Sequence, residues 1–270
     1  MSSYRLKNII ICILLFVNVA LLLLAANNLY RQNQQQQNLE EQVLELYAGS
    51  GITLSVNQIA APQRMYSLSL LRDSEEEMLF AATILGDELT ITEQSSGTFL
   101  YQSELGEGRF RQNGYFDIQL QGDPVSDPMS LCQRICQRYG YRQLRQIDPQ
   151  GGKSRYTADL VHEQLPIYRC AVTFAFDSEN RLTEVSGYFL PEEGSRLESI
   201  NSTVASALVQ FLDYRNRNGI VCNEVLSVSP GYFLQPGSSN HLQLVPVWSI
   251  ETDTHNYYVN VLEQTVSLAS

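Results

Sequence analysis

Three histidines, His162, His241 and His255, are the side chains of this sequence best suited to moving protons near neutral pH. Five cysteines, Cys12, Cys132, Cys136, Cys170 and Cys222, are its candidate nucleophiles, metal ligands or disulfide partners. Neither set falls into a pattern that chemistry requires. His162-Glu163 lacks the second histidine four positions after the first that a zinc-protease helix needs. No nucleophile elbow, P-loop or dinucleotide fingerprint is present. A Ser/His/Asp triad is assembled in space, so sequence alone neither shows nor excludes one. Each histidine nevertheless sits in a strand end or polar turn, where an exposed structural histidine is the default. The expectation is a protein that is not an enzyme, with no catalytic, cofactor-binding or metal-binding residues.

Cys132 and Cys136 are spaced i, i+4 on a helical pattern, sharing a face but poorly aimed at each other. No histidine lies near enough in sequence to complete a metal set with them. All four cysteines beyond residue 30 read as small core hydrophobes, and a Cys170–Cys222 bridge is compatible with the sequence but not required by it. The acidic run Asp73-Ser74-Glu75-Glu76-Glu77 lacks the spaced oxygen ligands of a calcium loop and reads as a solvated turn.

The segment that must position everything else is the apolar stretch 9–26, charge-free and interrupted only by Asn18. It is nearly long enough to cross a bilayer as one helix. Arg5 and Lys7 precede it, favouring a cytoplasmic N-terminus and an extracellular C-terminal region at the cell membrane. A cleaved signal peptide is the competing reading. Against it stand the length of the apolar core and the poor cleavage site at Ala25-Ala26-Asn27. Asn18 is the candidate partner contact: an amide in hydrocarbon often bonds to a neighbouring helix, although a lone Asn is also tolerated in such anchors. Removing the two charges of Arg5 and Lys7 from the formal −11 of the chain leaves −13 for residues 31–270. Such acidity argues against nucleic acid and against lying on anionic lipid.

Beyond the anchor, Leu39, Val43 and Leu46 suggest a juxtamembrane helix over about 34–48, its stripe packing on its own domain or on a partner helix. Short strands are expected at 64–71, 77–85, 88–92, 97–103, 108–112 and 115–120, the last two joined by an Asn113-Gly114 hairpin. Asp127 and Pro128 begin a helix with Met129, Cys132, Ile135, Cys136 and Tyr139 on its buried face, stopped by Gly140. Strands follow at 156–164, 168–176 and 181–190. Ser195 and Glu198 form a capping box for a helix over about 196–218, with Leu197 and Ile200 starting its apolar stripe. Strands at 221–233, 242–251 and 256–261 complete the pattern. Gly-Tyr-Phe occurs at 114–116, 187–189 and 231–233, suggesting duplicated units despite unequal spacings.

The expected fold class is α+β: residues 1–30 as cytoplasmic tip and transmembrane anchor, 31–50 as juxtamembrane helix or spacer, 51–125 as a first α+β domain, and 126–270 as a second with two helix-plus-sheet units.

Gly231-Tyr232-Phe233, Leu244-Val245-Pro246-Val247-Trp248 and Tyr257-Tyr258-Val259-Asn260-Val261 follow a helix in that order. Together with the short basic N-terminus before one anchor, this resembles YycI-type proteins, the membrane-anchored regulators that accompany the WalK/WalR two-component system. The Pro-x-Trp and Tyr-Tyr-Val pieces also resemble PepSY-like units, and a YycH-type relationship is a neighbouring alternative. Where the family tends to have a Thr-Gly turn after the last strand, this chain has Glu263-Gln264-Thr265. The resemblance implies a non-catalytic regulator whose partners are a WalK-like sensor histidine kinase and a second, YycH-like bitopic protein. The alternative is an anchored PepSY-like domain that restrains an exported hydrolase. From the residues alone, Leu242, Leu244, Trp248 and Ile250 share one strand face as core, and Pro246 implies an edge position or a bulge.

Overall fold

A computed structural model describes residues 39–269 apart from 40, 56, 58–64, 95–96, 151–152, 192, 201–202 and 238–240. The apolar stretch 9–26 and Asn18 lie outside the described residues. Among the described residues no helix is long and apolar enough to cross a membrane.

The fold is α+β, and its order is set by three units, each a helix followed by four antiparallel strands that pair in sequence order. Helix α1 (residues 41–49) and strand β1 (Met65–Leu71) precede them. The first unit is α2 (Ser74–Leu85) with β2 (Thr90–Gln94), β3 (Thr98–Ser103), β4 (Gly106–Phe110) and β5 (Tyr115–Leu120). The second is α3 (Pro128–Arg138) with β6 (Tyr141–Gln150), β7 (Lys153–His162), β8 (Leu165–Phe176) and β9 (Leu182–Tyr188). Strand β10 (Ser195–Ile200) leads to the third: α4 (Val204–Asn218), β11 (Val225–Pro236), β12 (His241–Thr252), β13 (Asn256–Asn260) and β14 (Thr265–Leu268).

Helix α2 stands where a strand is expected over 77–85. Met78-Leu79-Phe80-Ala81-Ala82 is apolar nearly throughout, so periodicity alone does not separate a buried strand from a helix. The caps decide it. The Asp73 carboxylate accepts from the backbone N–H groups of Glu75 at 2.8 Å and Glu76 at 3.1 Å, and three glutamates fill the positive first turn. The acidic run is thus a helix start rather than a solvated turn. Its last member, Glu77, is buried and paired with Arg72: Nε to Oε1 at 2.6 Å and Nη2 to Oε2 at 2.8 Å.

Helix α3 begins as expected, with Asp127 accepting from the Ser130 N–H. Cys132, Ile135 and Cys136 are buried, but Met129 is exposed. Helix α4 begins later than expected, at a Thr203 cap that accepts from the Ser206 N–H. Ser195 and Glu198 do not begin a helix; they lie in β10, which pairs antiparallel with β1 (Met65 opposite Ile200). Pairing with a distant strand overrides the local helix signal. Val204, Ala207, Leu208, Phe211 and Leu212 form the buried face, and Gly219, at φ 61°, ends the helix.

The first two units join through their last strands, β5 antiparallel to β9, with Tyr115 opposite Tyr188. Hydrogen bonding thus crosses residue 125, and β1 lies between β10 and β12. The third unit meets the second where β11 runs parallel to the start of β8, Tyr232 opposite Ile167. Gly231 permits this approach, since a β-carbon there would stand 2.3 Å from the Tyr168 ring. In β5 and β9 the Gly-Tyr-Phe triplets belong to fourth strands, whereas Gly231 lies on a first strand, so the triplets do not mark equivalent repeat positions. Arg169, at φ 66°, shifts the alternation of β8, so that Ile167 and then Cys170, Val172 and Phe174 are buried while Tyr168 is half-buried.

Pro246 is on an interior strand rather than an edge. Strand β12 pairs with β11 along its length; on its other side the pairing with β1 reaches as far as Leu244 and that with β13 as far as Trp248. Pro246 falls between those two partners, where no ladder bond is lost. The Asn113-Gly114 turn is a three-residue loop rather than a two-residue one: Arg111 N–H donates to Tyr115 O at 2.9 Å, Gly114 N–H to Arg111 O at 3.0 Å, and Gly114 takes φ 80°.

Breaking the Arg72–Glu77 pair on one side only, with Glu77→Gln, is expected to cost about 3–5 kcal/mol in urea unfolding because it strands a buried guanidinium. Exposed Glu75→Gln should change stability by less than about 0.5 kcal/mol. The β7–β8 turn places Glu163 at φ 47° and Gln164 at φ 73°. Gln164→Gly should therefore stabilise by about 1 kcal/mol in the same measurement.

Candidate functional site

The three histidines occupy three separate places. His162 ends β7, its ring 6.2 Å from that of Tyr232. His241 begins β12, its Nδ1 3.0 Å from Ser69 Oγ. His255 lies in the turn after β12, its backbone N–H donating to Thr252 Oγ1 at 3.0 Å. His241 and His255 thus stand at opposite ends of a twelve-residue strand, on the order of 35 Å apart. Among the described residues no group of three or more His, Cys, Asp or Glu side chains is arranged to hold a metal ion. Cys132, Cys136, Cys170 and Cys222 are free and buried, and no Cys170–Cys222 bridge forms. Burial pushes the thiols of Cys132 and Cys170 up to about 12 and that of Cys136 up to about 11; Cys222 is raised too.

Helix α1 packs on the third unit through only one member of the expected stripe, Val43. Val43, Tyr47 and Ile52 are buried, while Leu39 and Leu46 are each 45% exposed. Tyr47 is the residue the sequence pattern concealed. Its ring is fully buried and its hydroxyl donates to Leu208 O, in the middle of α4, at 2.8 Å. The chain after α1 is fixed as well: Thr53 N–H donates to Asn223 O at 2.8 Å and Val225 N–H to Thr53 O at 3.0 Å. Between α1 and α4 runs a groove of about 960 Å³, walled by Leu39, Val43, Leu46, Val209 and Val261. In the same groove, Gln210 Nε2 is buried without a hydrogen-bond partner among the described residues.

A second concavity, of about 660 Å³, opens where the three units meet. Its apolar lining includes Leu70 of β1, Leu79 of α2, Ile167 of β8, Phe189 and Leu244 of β12. Arg138, Arg142 and His162 of the second unit line it, as do Glu76 and Glu163. One wall is tied together by Tyr139, whose hydroxyl donates to Leu79 O at 3.0 Å and lies 2.6 Å from Thr83 Oγ1. The Tyr139 ring meets Phe80 edge-on at 4.8 Å, and Phe80 stacks on Phe189 at 4.8 Å. Nothing in the spacing of Arg138 and Arg142 marks them in the sequence, because the turn at Gly140 and the arrival of α2 and β12 create their setting.

Neither a protein-family model nor a curated protein matches the chain. Among solved structures, an uncharacterized protein from Eubacterium rectale aligns with a TM-score of 0.46 at 11% identity, over 77% of this chain and 87% of that one. The Bacillus megaterium YpeB C-terminal domain aligns with a TM-score of 0.35 at 9% identity, over 74% of this chain and 99% of that domain.

With their thiols buried and held protonated, the four cysteines should react with a disulfide reagent at pH 8 far more slowly in the folded protein than in urea. Rapid modification of any of them without denaturant would contradict the burial described above.

Proposed function

We propose that this chain is a single-pass membrane regulator, N-terminus cytoplasmic, whose extracytoplasmic region associates with a WalK-like sensor histidine kinase and a second, YycH-like bitopic protein. In this reading the stretch 9–26 is the anchor and Asn18 its intramembrane contact. The observation that carries the reading is the attachment of α1. Only 14 residues separate Ala26 from residue 41, spanning at most about 50 Å even when fully extended. From residue 41 onward the chain is fastened to the third unit by Val43, Tyr47 and the Thr53 bonds. The anchor is thus joined by a short segment to a helix that is itself fixed on α4 and its sheet. Such a partner biases a kinase only through contacts that differ between the kinase's signalling states. The exposed Leu39, Leu46 and Val209 offer such contacts beside the membrane.

Photocrosslinkers at Asn18 and within Gln32–Gln37, followed by pull-down from native membranes, test the proposal. Capture of a sensor kinase and a second bitopic protein supports it; capture of an exported hydrolase alone favours an inhibitory role. Asn18→Leu should weaken capture about 3- to 30-fold, the effect of one interhelical hydrogen bond. Tyr47→Ala should leave capture at the anchor intact yet abolish the effect on kinase output.

A further inference from the structure

The chain carries a large excess of negative charge, and seven of its thirteen described arginines are neutralised within the fold. Arg72, Arg109, Arg111, Arg145, Arg181, Arg196 and Arg217 each pair with a carboxylate. Among the described residues Arg134, Arg138, Arg142, Arg155, Arg169 and Arg215 have no such pair, and of these Arg138 and Arg142 line the concavity where the three units meet. Arg138 is the last residue of α3 and Arg142 the second of β6, so the turn at Gly140 puts both residues in the lining of one concavity. Of the two acidic residues in the lining, Glu163 is engaged by Arg196 at 3.3 Å, and Glu76 belongs to the opposite wall, on α2. The second unit's wall is therefore the cationic one.

The remainder of the lining sets hydrocarbon beside the polar side chains of Gln137, Tyr139 and His162. Leu70, Ile167, Phe189 and Leu244 are buried beneath the opening, and Leu79 stands 51% exposed at it. A peptide docking here would need unpaired backbone groups. Leu244 on this floor already pairs on both sides, with Leu68 and Leu234, and Ile167 pairs with Tyr232. A hydrocarbon chain needs no such groups.

From these observations we infer that the junction of the three units is a binding site for a small amphiphilic anion, a carboxylate or phosphate head on an apolar chain. The head lies against Arg138 and Arg142, where charge-assisted hydrogen bonds hold it. The chain lies across Leu79, Val161 and Leu190. The volume of about 660 Å³ is in the range of small-ligand pockets. The hydroxyl bonds of Tyr139 keep the α2–α3 wall in place without ligand. A ligand there touches all three units at once, and the proposal is independent of which protein the membrane-proximal face engages.

The test is photoaffinity labelling of the full chain in lipid nanodiscs with a decanoate bearing a chain diazirine, the sites being read by mass spectrometry. The expected result is label concentrated on the peptides containing Leu79, Leu160–Val161 and Phe189–Leu190. Labelling should fall at least tenfold in R138Q/R142Q and in Leu79→Asp, all three being exposed positions whose replacement leaves thermal unfolding unchanged. Excess octanoate or octyl phosphate should compete, and whichever competes better identifies the head group; octanol should not. Label spread evenly over exposed apolar surface, labelling indifferent to R138Q/R142Q, or equal competition by octanol would overturn the proposal.

Discussion

The contact between Arg72 and Glu77 fastens the first unit to the remainder of the molecule. Arg72 follows β1, a strand of the third unit's sheet, and its guanidinium passes into the first unit. There it forks onto the Glu77 carboxylate, donates to Gly97 O and Phe110 O, and lies 4.7 Å from the centre of the Phe99 ring. Desolvation raises the Glu77 carboxyl, and the guanidinium works against that rise. Tyr101, also lifted by burial to about 12, closes the group as a neutral phenol. A planar cation with several fixed donors can join one helix, two strands and a loop in one place, which a lysine in the same position would not do.

The three units have the same order of elements and differ in how their edges are satisfied. An open strand edge invites pairing with another chain. The first and second units close that edge against each other through β5 and β9, while the third is extended by β1 and β10. What is left at the far edge is β2, short and exposed throughout, with Thr90, Thr92, Glu93 and Gln94 around a single Ile91. Polarity there protects the edge without a covering element. The concavity lies at the common corner of the three units.

Much of the fold is legible where local signals and burial agree. Asp127-Pro128 starts a helix, β5 runs over Tyr115–Leu120 as its alternation indicates, and the inward set of β12 is Leu242, Leu244, Trp248 and Ile250. Legibility fails where the third dimension decides. The apolar run of α2 resembles a strand until its caps are weighed, and Ser195 and Glu198 imitate a helix start that β1 captures as a strand. Tyr141–Gln150 is too polar to read as a strand, yet it becomes β6 by pairing with β7. Gln264, standing where a Gly turn is expected, adopts φ 52° while Asn260 Oδ1 accepts the Leu262 and Glu263 N–H groups, so side-chain bonding substitutes for glycine. The surfaces of interest depend on Tyr47, Arg138 and Arg142, residues of ordinary type whose meaning arises only from what folds against them.

The anchoring of α1 has a consequence for the order in which the molecule forms. The Tyr47 hydroxyl and its acceptor are 161 positions apart, and β1 waits for β10 and β12, the latter near the C-terminus. During synthesis these N-terminal pieces emerge first and find their places last, so the chain carries an apolar helix face and an unpaired strand until its final third is complete. Such high contact order makes for slow closure. It also means that a chain interrupted before β12 lacks the partners of its own first strand, so a truncated product exposes an open sheet edge that the finished molecule covers.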